Sequence, residues 1–355
     1  MSKSIPCTVM RGGTSKGVYF LKSDLPSDPN DRDRVLLDIM GSPDHRQIDG
    51  MGGANSLTSK IAIINKSDKN GVDVDYLFGQ VALERPIVSY VQNCGNILAG
   101  VGQFAIEKGL VAAVDPVTKI VVNMLNSNDN AIVTVSTPEK IINYEGETSI
   151  DGVPGTAAAV PLNFLNTAGS VCGSLFPTGN RKDVSDGITL TCIDNGMPLV
   201  IMRASDFNLI GTETVDELEL NESLKRRLER VRLDIGPRMN LGDVEQKSVP
   251  KMTLVSPPKN GGLISTRSFI PHACHSSIGV FAAVTVATAS LIPGTLAAEM
   301  MDEAVTTDDE LFVEHPSGAM GVRIKVEING ENIVLRESGF LRTARKIFEG
   351  SVFLK

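Results

Sequence analysis

The 355-residue sequence predicts a mixed α and β protein made of two similar halves, each pairing short strands with one buried helix. Three observations carry this. The chain is longer than one core comfortably fills. Short β-like runs alternate with glycine-rich turns through the first half. Three features of the first half then recur, in the same order, in the second.

The elements follow from local patterning. Ile5–Met10 and Val18–Leu21 read as strands flanking the turn Arg11-Gly12-Gly13-Thr14-Ser15-Lys16-Gly17, and Lys60–Asn65 and Val74–Val81 as strands divided by the polar Lys66–Gly71. The apolar run Ile97–Glu107 reads as a buried helix stopped by Lys108-Gly109. Strands are expected at Ile120–Leu125, Ala131–Ser136 and Ile141–Tyr144, and residues 150–180, rich in Gly, Pro and Ala, read as a linking region. Beyond it, Asn221–Arg232 is an amphipathic helix whose Lys225-Arg226-Arg227 cluster forms a solvated face. The recurrences match Gly12-Gly13 with Asn195-Gly196, Ser59–Ile64 with Pro250–Val255, and the Cys94 loop and helix with His272–Ser277 and Ile278–Ala289.

Composition excludes several classes. The net charge of −8, scattered basic residues and absence of tryptophan argue against nucleic acid as a partner. No run of eighteen apolar residues would span a membrane. Met1–Cys7 lacks the apolar core of a signal peptide. Five cysteines, an odd count without a CxxC pair, argue against a disulfide framework and for a reducing cytoplasm.

Asn93-Cys94-Gly95-Asn96 is the most informative stretch. It sets a thiol at the start of the expected buried helix, where free N–H groups and the helix dipole favour a thiolate. Most free cysteines are inert and buried, so this residue pattern alone leaves both readings open. Lys60 opens an apolar strand after the glycine-dense loop Ile48–Asn55, so it either reaches solvent or works in a cleft as a base. Lys251, after Pro250, is its counterpart. The Arg11–Gly17 turn lacks the G-x4-G-K-[ST] spacing of a phosphate loop and suits carboxylates better, through close backbone N–H groups and a guanidinium fork. His272-Ala273-Cys274-His275 matches no common zinc spacing, and no G-x-S-x-G elbow occurs.

Arg11–Gly17, Gly41-Ser42-Pro43-Asp44, Ile48–Gly53, Thr58-Ser59-Lys60 and Asn93–Asn96 together resemble the methylaconitate isomerase (PrpF-like) family, over about Ile5 to Phe353. The resemblance implies a diaminopimelate-epimerase-like α+β fold, in two pseudo-symmetric domains, each a curved β-sheet wrapped round a central helix. It places them at residues 1–185 and 186–355, with strand exchange at the ends, and sets the active site between them. Cys192–Pro198, Gly236–Val244 and Thr266–His272 narrow it to relatives acting on 4-oxalomesaconate in gallate breakdown. It implies Lys60 and Cys94 as the proton-handling pair, with no cofactor and no metal. The second half offers Cys274, His275, Ser276 and Ser277 where the epimerases bring a second catalytic cysteine, which favours a one-base or lysine-plus-thiol mechanism over two thiols.

The expected substrate is a small unsaturated oxo-tricarboxylate, deprotonated to a dienolate and reprotonated on oxygen or on a distant carbon. A 1,3-allylic isomerase of 4-oxalomesaconate, methylaconitate or aconitate and an amino-acid epimerase are the alternatives, and a non-catalytic binding protein is the rival class. Substrate binding is expected at Arg11, Gly12, Gly13, Thr14, Asn55, Ser59, Asn93, Gly95, Asn96, Arg267, His275, Ser276 and Ser277. Neither nucleic acid nor membrane is an expected partner, and the strand edges of such a fold suit a homodimer.

Overall fold

Alternating burial builds the first sheet. β1 (Ser4–Gly12) and β2 (Ser15–Leu21) form a hairpin in which Gly12 pairs with Ser15. β3 (Lys60–Lys66) lies parallel to β2, which requires a crossover. That crossover is α1 (Pro29–Met40), not foreseen from the sequence. Asp28 caps it by accepting the Asn30 and Asp31 N–H groups, and Gly41 ends it at φ 71°. Its Leu36, Ile39 and Met40 pack with Ile5, Val9, Val18, Phe20 and Ile61. β4 (Val74–Val81) pairs antiparallel with β3, then with the two-residue β5 (Val88–Ser89). α2 (Gly95–Leu98) and α3 (Val101–Glu107) follow. β6 (Val117–Met124) runs parallel to β4, and β7 (Asp129–Ser136) and β8 (Ala159–Phe164) complete an antiparallel run.

The second unit repeats this plan. β9 (Asp183–Ser185) and β10 (Ile188–Asp194) pair antiparallel, as do β10 and β11 (Pro198–Arg203). α4 (Val215–Glu219) and α5 (Glu222–Arg238) cross to β12 (Lys251–Ser256), parallel to β11. β13 (Ile264–Ile270) pairs antiparallel with β12 and with the two-residue β14 (Ala273–Cys274). α6 (Val280–Leu291) leads to β15 (Leu311–His315), parallel to β13. β16 (Gly318–Asn329) and β17 (Asn332–Phe353) close the series antiparallel. Parallel and antiparallel pairings recur in the same order as in the first unit, which gives the expected duplication a structural basis.

This computed structural model describes residues 4–301, 310–330 and 332–355. The units are Met1–Leu165 with Leu341–Lys355, and Asn166–Phe340. The boundary falls twenty residues before the expected 185/186, because the stretch after β8 is bound to the second unit: Val171 and Cys172 donate to Asp194, and β9 pairs with β10. The last residues belong to the first unit because Ala344–Phe353 pair with β1. Ile141–Tyr144 is not a strand: a 3-10 turn at Pro138–Lys140 precedes it, and Ile141 is exposed. The α5 basic face is solvated except at Arg232, which is fully buried and donates to both Glu229 carboxylate oxygens and to the Val244 and Lys247 carbonyls. No helix among the described residues is long and apolar enough to cross a membrane. The reading of the N-terminus falls partly on residues 1–3, outside the described residues.

Each unit buries a helix. α6 is buried from Ala282 to Ser290, so it is apolar on every side, and its Thr288 and Ser290 hydroxyls donate back to the Val284 and Val286 carbonyls. The expected single helix over Ile97–Glu107 is broken in two, for a visible reason. In an unbroken helix the Ile97 carbonyl would accept the Val101 N–H. Here it accepts the Gly100 N–H at 3.1 Å and the Tyr19 hydroxyl at 2.6 Å. A side chain inserted into the ladder kinks a helix. Tyr19 fits only because residue 100 has no Cβ, which would lie 2.6 Å from the Tyr19 oxygen. Gly100→Ala should therefore cost about 1–3 kcal/mol of stability through overpacking. Urea denaturation checks this, and an unchanged midpoint would mean that the Tyr19 contact is not tight.

Candidate active site

Period-2 alternation along β4 puts Tyr76, Phe78 and Gln80 on one face. Tyr76, at one end, donates its hydroxyl to the Cys94 carbonyl at 3.3 Å. Gln80, at the other, accepts a hydrogen bond from Lys60 Nζ at 2.7 Å, and the Phe78 ring centroid lies 5.1 Å from that nitrogen. One strand face thus holds both residues singled out for proton transfer.

Lys60 is 7% exposed, the first residue of β3, paired with Gly17 on one side and Gln80 on the other. The Gln80 amide is itself fixed, because its Nε2 donates to the Ser56 and Ser59 carbonyls at 3.1 and 3.0 Å. That leaves its oxygen facing the lysine. Among the described residues no carboxylate lies within ion-pair distance of Lys60, whereas Lys108 and Lys346 each hold a glutamate. Its polar partner is a neutral amide above an aromatic face, an arrangement that binds an amine without locking it into an ion pair.

Cys94 is the N-cap of α2, in an extended conformation, and its carbonyl accepts the Leu98 N–H at 2.9 Å. Because α2 spans four residues before the Tyr19 break, the long-helix dipole expected behind this thiol is not present. What fixes Cys94 is side-chain bracing: Tyr76 on its own carbonyl, Tyr19 on that of Ile97. Burial, and after it proximity to Cys94, pushes both phenol pKa values well above the ordinary tyrosine range, so both hydroxyls remain donors.

The β1–β2 turn seats against the same helix start. A Cβ on Gly12 would lie 2.2 Å from the Asn96 carbonyl oxygen, and one on Gly13 would lie 2.1 Å from Asn96 Oδ1. Asn96 donates from Nδ2 to Thr14 Oγ1 at 3.0 Å and accepts at Oδ1 from Arg342 Nε at 3.0 Å. Gly12, Gly13, Thr14, Gly95 and Asn96 therefore come together as expected, with Arg342 added from β17. Arg11 sits beside them, with Nη1 donating to the Gly13 and Thr343 carbonyls at 2.9 Å. Asn93 donates to Ser127 Oγ at 2.7 Å, while its Oδ1 is buried without a partner.

Other expected ligand contacts have partners within the chain or lie in the second unit. Ser59 is fully buried and donates to Gln47 Oε1 at 2.6 Å, so it holds the preceding loop. Asn55 is exposed, and its Oδ1 accepts the Leu57 N–H in a turn. Arg267 is 8% exposed, and its Nε and Nη1 donate to the Glu213 and Thr266 carbonyls. In the second unit His275 Nδ1 accepts the Ser277 N–H at 2.9 Å, Ser277 Oγ lies 3.4 Å from His315 Nε2, and Ser276 is exposed. His272 lies 3.6 Å from Glu229, so the two histidines and Cys274 do not act as one donor set.

The expected placing of Cys274 at the start of the second buried helix is corrected. Cys274 lies on β14, buried in the α5 core, and burial pushes its thiol up to about 11. The N-cap of α6, the place Cys94 takes in the first unit, is Gly279. The sequence reading missed Gln80, Tyr19, Tyr76 and Arg342. Tyr76 could have been found from the alternation in Val74–Val81 and Tyr19 as a polar tip within a buried strand, whereas Gln80 depends on the β3–β4 register and Arg342 is remote in sequence. All five cysteines are free, and Cys94 alone is not buried. Brief iodoacetamide treatment at pH 8 should label Cys94 before Cys7, Cys172, Cys192 and Cys274. Peptide mass spectrometry reads the order, and earlier labelling of Cys274 would overturn this assignment.

The PrpF protein family profile matches residues 2–355. The chain is 55% identical to 4-oxalomesaconate tautomerase of Pseudomonas putida, over 98% of this chain and 95% of that one. It is 54% identical to (4E)-oxalomesaconate Delta-isomerase of Novosphingobium sp., over 99% and 98%. Among solved structures, methylitaconate-delta-isomerase superposes with a TM-score of 0.91 at 35% identity, covering 99% of this chain and 96% of that one. The fold is the diaminopimelate-epimerase-like α+β class. With its full length matched and its Lys60 and Cys94 on one braced strand face, the chain belongs to the PrpF protein family.

Proposed function

We propose that this isomerase moves a proton within 4-oxalomesaconate, tautomerising keto to enol as a step of gallate degradation in a reducing cytoplasm. The observation that carries the mechanism is the β4 face joining Lys60, through Gln80 and Phe78, to the Cys94 helix start, through Tyr76. The substrate C–H lies between a ketone and a conjugated double bond. Lys60 takes that proton as the C–H bond breaks, and the electron pair spreads into a dienolate. Cys94 returns a proton to the enolate oxygen. The Gly12–Thr14 turn and Arg11 are suited to a substrate carboxylate, and donors fixed in advance stabilise the developing negative charge.

A second reading is a 1,3-allylic shift, in which the same dienolate is protonated on the distant carbon. The near-equal identity to relatives named tautomerase and Delta-isomerase favours keeping it. The first step is common to both. Proton NMR and absorbance with keto 4-oxalomesaconate, trans-aconitate and methylaconitate identify the substrate and the proton's destination. Lys60→Met and Cys94→Ala should each stay folded and lose turnover about 100-fold or more, the scale of general acid–base catalysis. Near-normal turnover by either variant would remove its assigned role.

A further inference from the structure

Proton transfer needs a lysine that is aimed as well as placed. The backbone of Lys60 is fixed on both sides. Gly17 pairs with it on β2, where a Cβ would lie 3.0 Å from the Lys60 carbonyl oxygen, and Gln80 pairs with it on β4. Beyond the backbone the side chain is long and rotatable, and the contacts that hold its end come from β4. Its nitrogen donates to Gln80 Oε1 at 2.7 Å and lies 5.1 Å from the Phe78 ring centroid.

Gln80 has one stable orientation. Its Nε2 donates to the Ser56 and Ser59 carbonyls at 3.1 and 3.0 Å, and the Ser59 carbonyl also accepts the Val81 N–H at 3.0 Å. Turning the amide over would set its NH2 against the lysine nitrogen and its oxygen against two carbonyls. The atom that meets Lys60 therefore carries no hydrogen and can only accept. The Phe78 ring acts in the same sense, because its negative face draws an N–H. Two positions on the tetrahedral nitrogen are thus taken up, and the third lies toward neither group. The second unit shows that this amide is no part of the shared frame. Lys251 opens β12 as Lys60 opens β3, with Leu199 beside it where Gly17 stands beside Lys60. Met252 pairs with Phe269 as Ile61 pairs with Gly79, so one step along the pair Ile270 takes the place of Gln80. The lysine position is duplicated and the amide is not.

We propose that Gln80 is a positioning residue for the proton transfer: with the Phe78 ring it takes up two positions on Lys60 Nζ and leaves the third as the one that accepts and releases the substrate proton. As the substrate C–H bond breaks, the nitrogen lone pair at that third position forms the new N–H bond, and the C–H electron pair stays on the substrate. The same position gives the proton up again before the next turnover. A pinned amide suits this where other partners do not. A carboxylate would favour the ammonium form, and a hydroxyl could turn and donate to the lone pair. Gln80 acts through Lys60 and carries no proton itself, so the inference rests on Lys60 being the base of the proposed function.

Titration followed by NMR tests it without a substrate. In protein carrying carbon-13 at lysine Cε and glutamine Cδ, the two resonances are assigned by their loss in Lys60→Met and Gln80→Met. In the wild-type chain Gln80 Cδ should move with pH at the midpoint of Lys60 Cε, since loss of a hydrogen from Nζ weakens the bond that the amide oxygen accepts. A Gln80 resonance that stays fixed through the Lys60 titration overturns the contact. Removing the acceptor in Gln80→Met should lower the Lys60 midpoint, and the carboxylate of Gln80→Glu should raise it by about one pH unit or more. Looser packing would move both variants the same way, so shifts of one sign, or none, overturn the positioning role. With 4-oxalomesaconate, kcat should fall about tenfold in Gln80→Met with KM little changed, the size of one hydrogen bond to a charged group. An unchanged kcat also overturns it. If the wild-type protein does not turn over 4-oxalomesaconate yet the opposite shifts appear, the positioning of Lys60 stands and the substrate assignment fails.

Discussion

The alternation of β4 is the constraint on which the site depends. A strand shows every second side chain to the same face, so Tyr76, Phe78 and Gln80 act together or not at all. A one-residue slip of β4 against β3 would turn all three to the opposite face and release Cys94 and Lys60 at once. The register is protected by burial on that opposite side, where Val81 packs under α1. Asn126 adds a second lock by accepting the Phe78 N–H and donating to the Phe78 and Tyr90 carbonyls.

The broken helix belongs to the same device. Tyr19 gives up an unbroken hydrogen-bond ladder in exchange for fixing Ile97, three residues beyond the thiol. The turn carrying Gly12 and Gly13 closes on Asn96 from the other side, and Arg342 meets the same amide. Cys94 is therefore held by its neighbours' side chains and not by the end of a long helix. The second unit keeps the strand order but not this bracing. Its turn at Asn195 donates to Thr288 Oγ1 in the middle of α6, and its N-cap is a glycine. The two units share a frame, and their helix starts carry different residues, Cys94 in one and Gly279 in the other.

Much of this was legible in the sequence. Strands with clear alternation, such as Val74–Val81, and runs with helical spacing, such as Asn221–Arg232, declare themselves because burial on one face fixes their period. Lys60 and Cys94 stood out because each sets a reactive group at the start of an apolar element. What stayed hidden depends on partners remote in sequence. Gln80 matters only once register sets it opposite Lys60, and Arg342 only once β17 returns to β1. The partners of Ser59 and Arg267 were hidden in the same way: Gln47 accepts from the first, and two backbone carbonyls from the second. The Cys274 match failed by position: five residues separate it from the N-cap, and it faces the α5 core.

The central claim, that Lys60 removes the proton and Cys94 returns one, is tested most directly by hydrogen exchange. In deuterated water, proton NMR would follow loss of the acidic C–H of keto 4-oxalomesaconate with each single variant, after subtraction of the uncatalysed rate. Cys94→Ala is predicted to keep enzyme-catalysed exchange at that carbon while forming little product, and Lys60→Met to lose both. Exchange that persists in Lys60→Met but vanishes in Cys94→Ala would contradict this assignment.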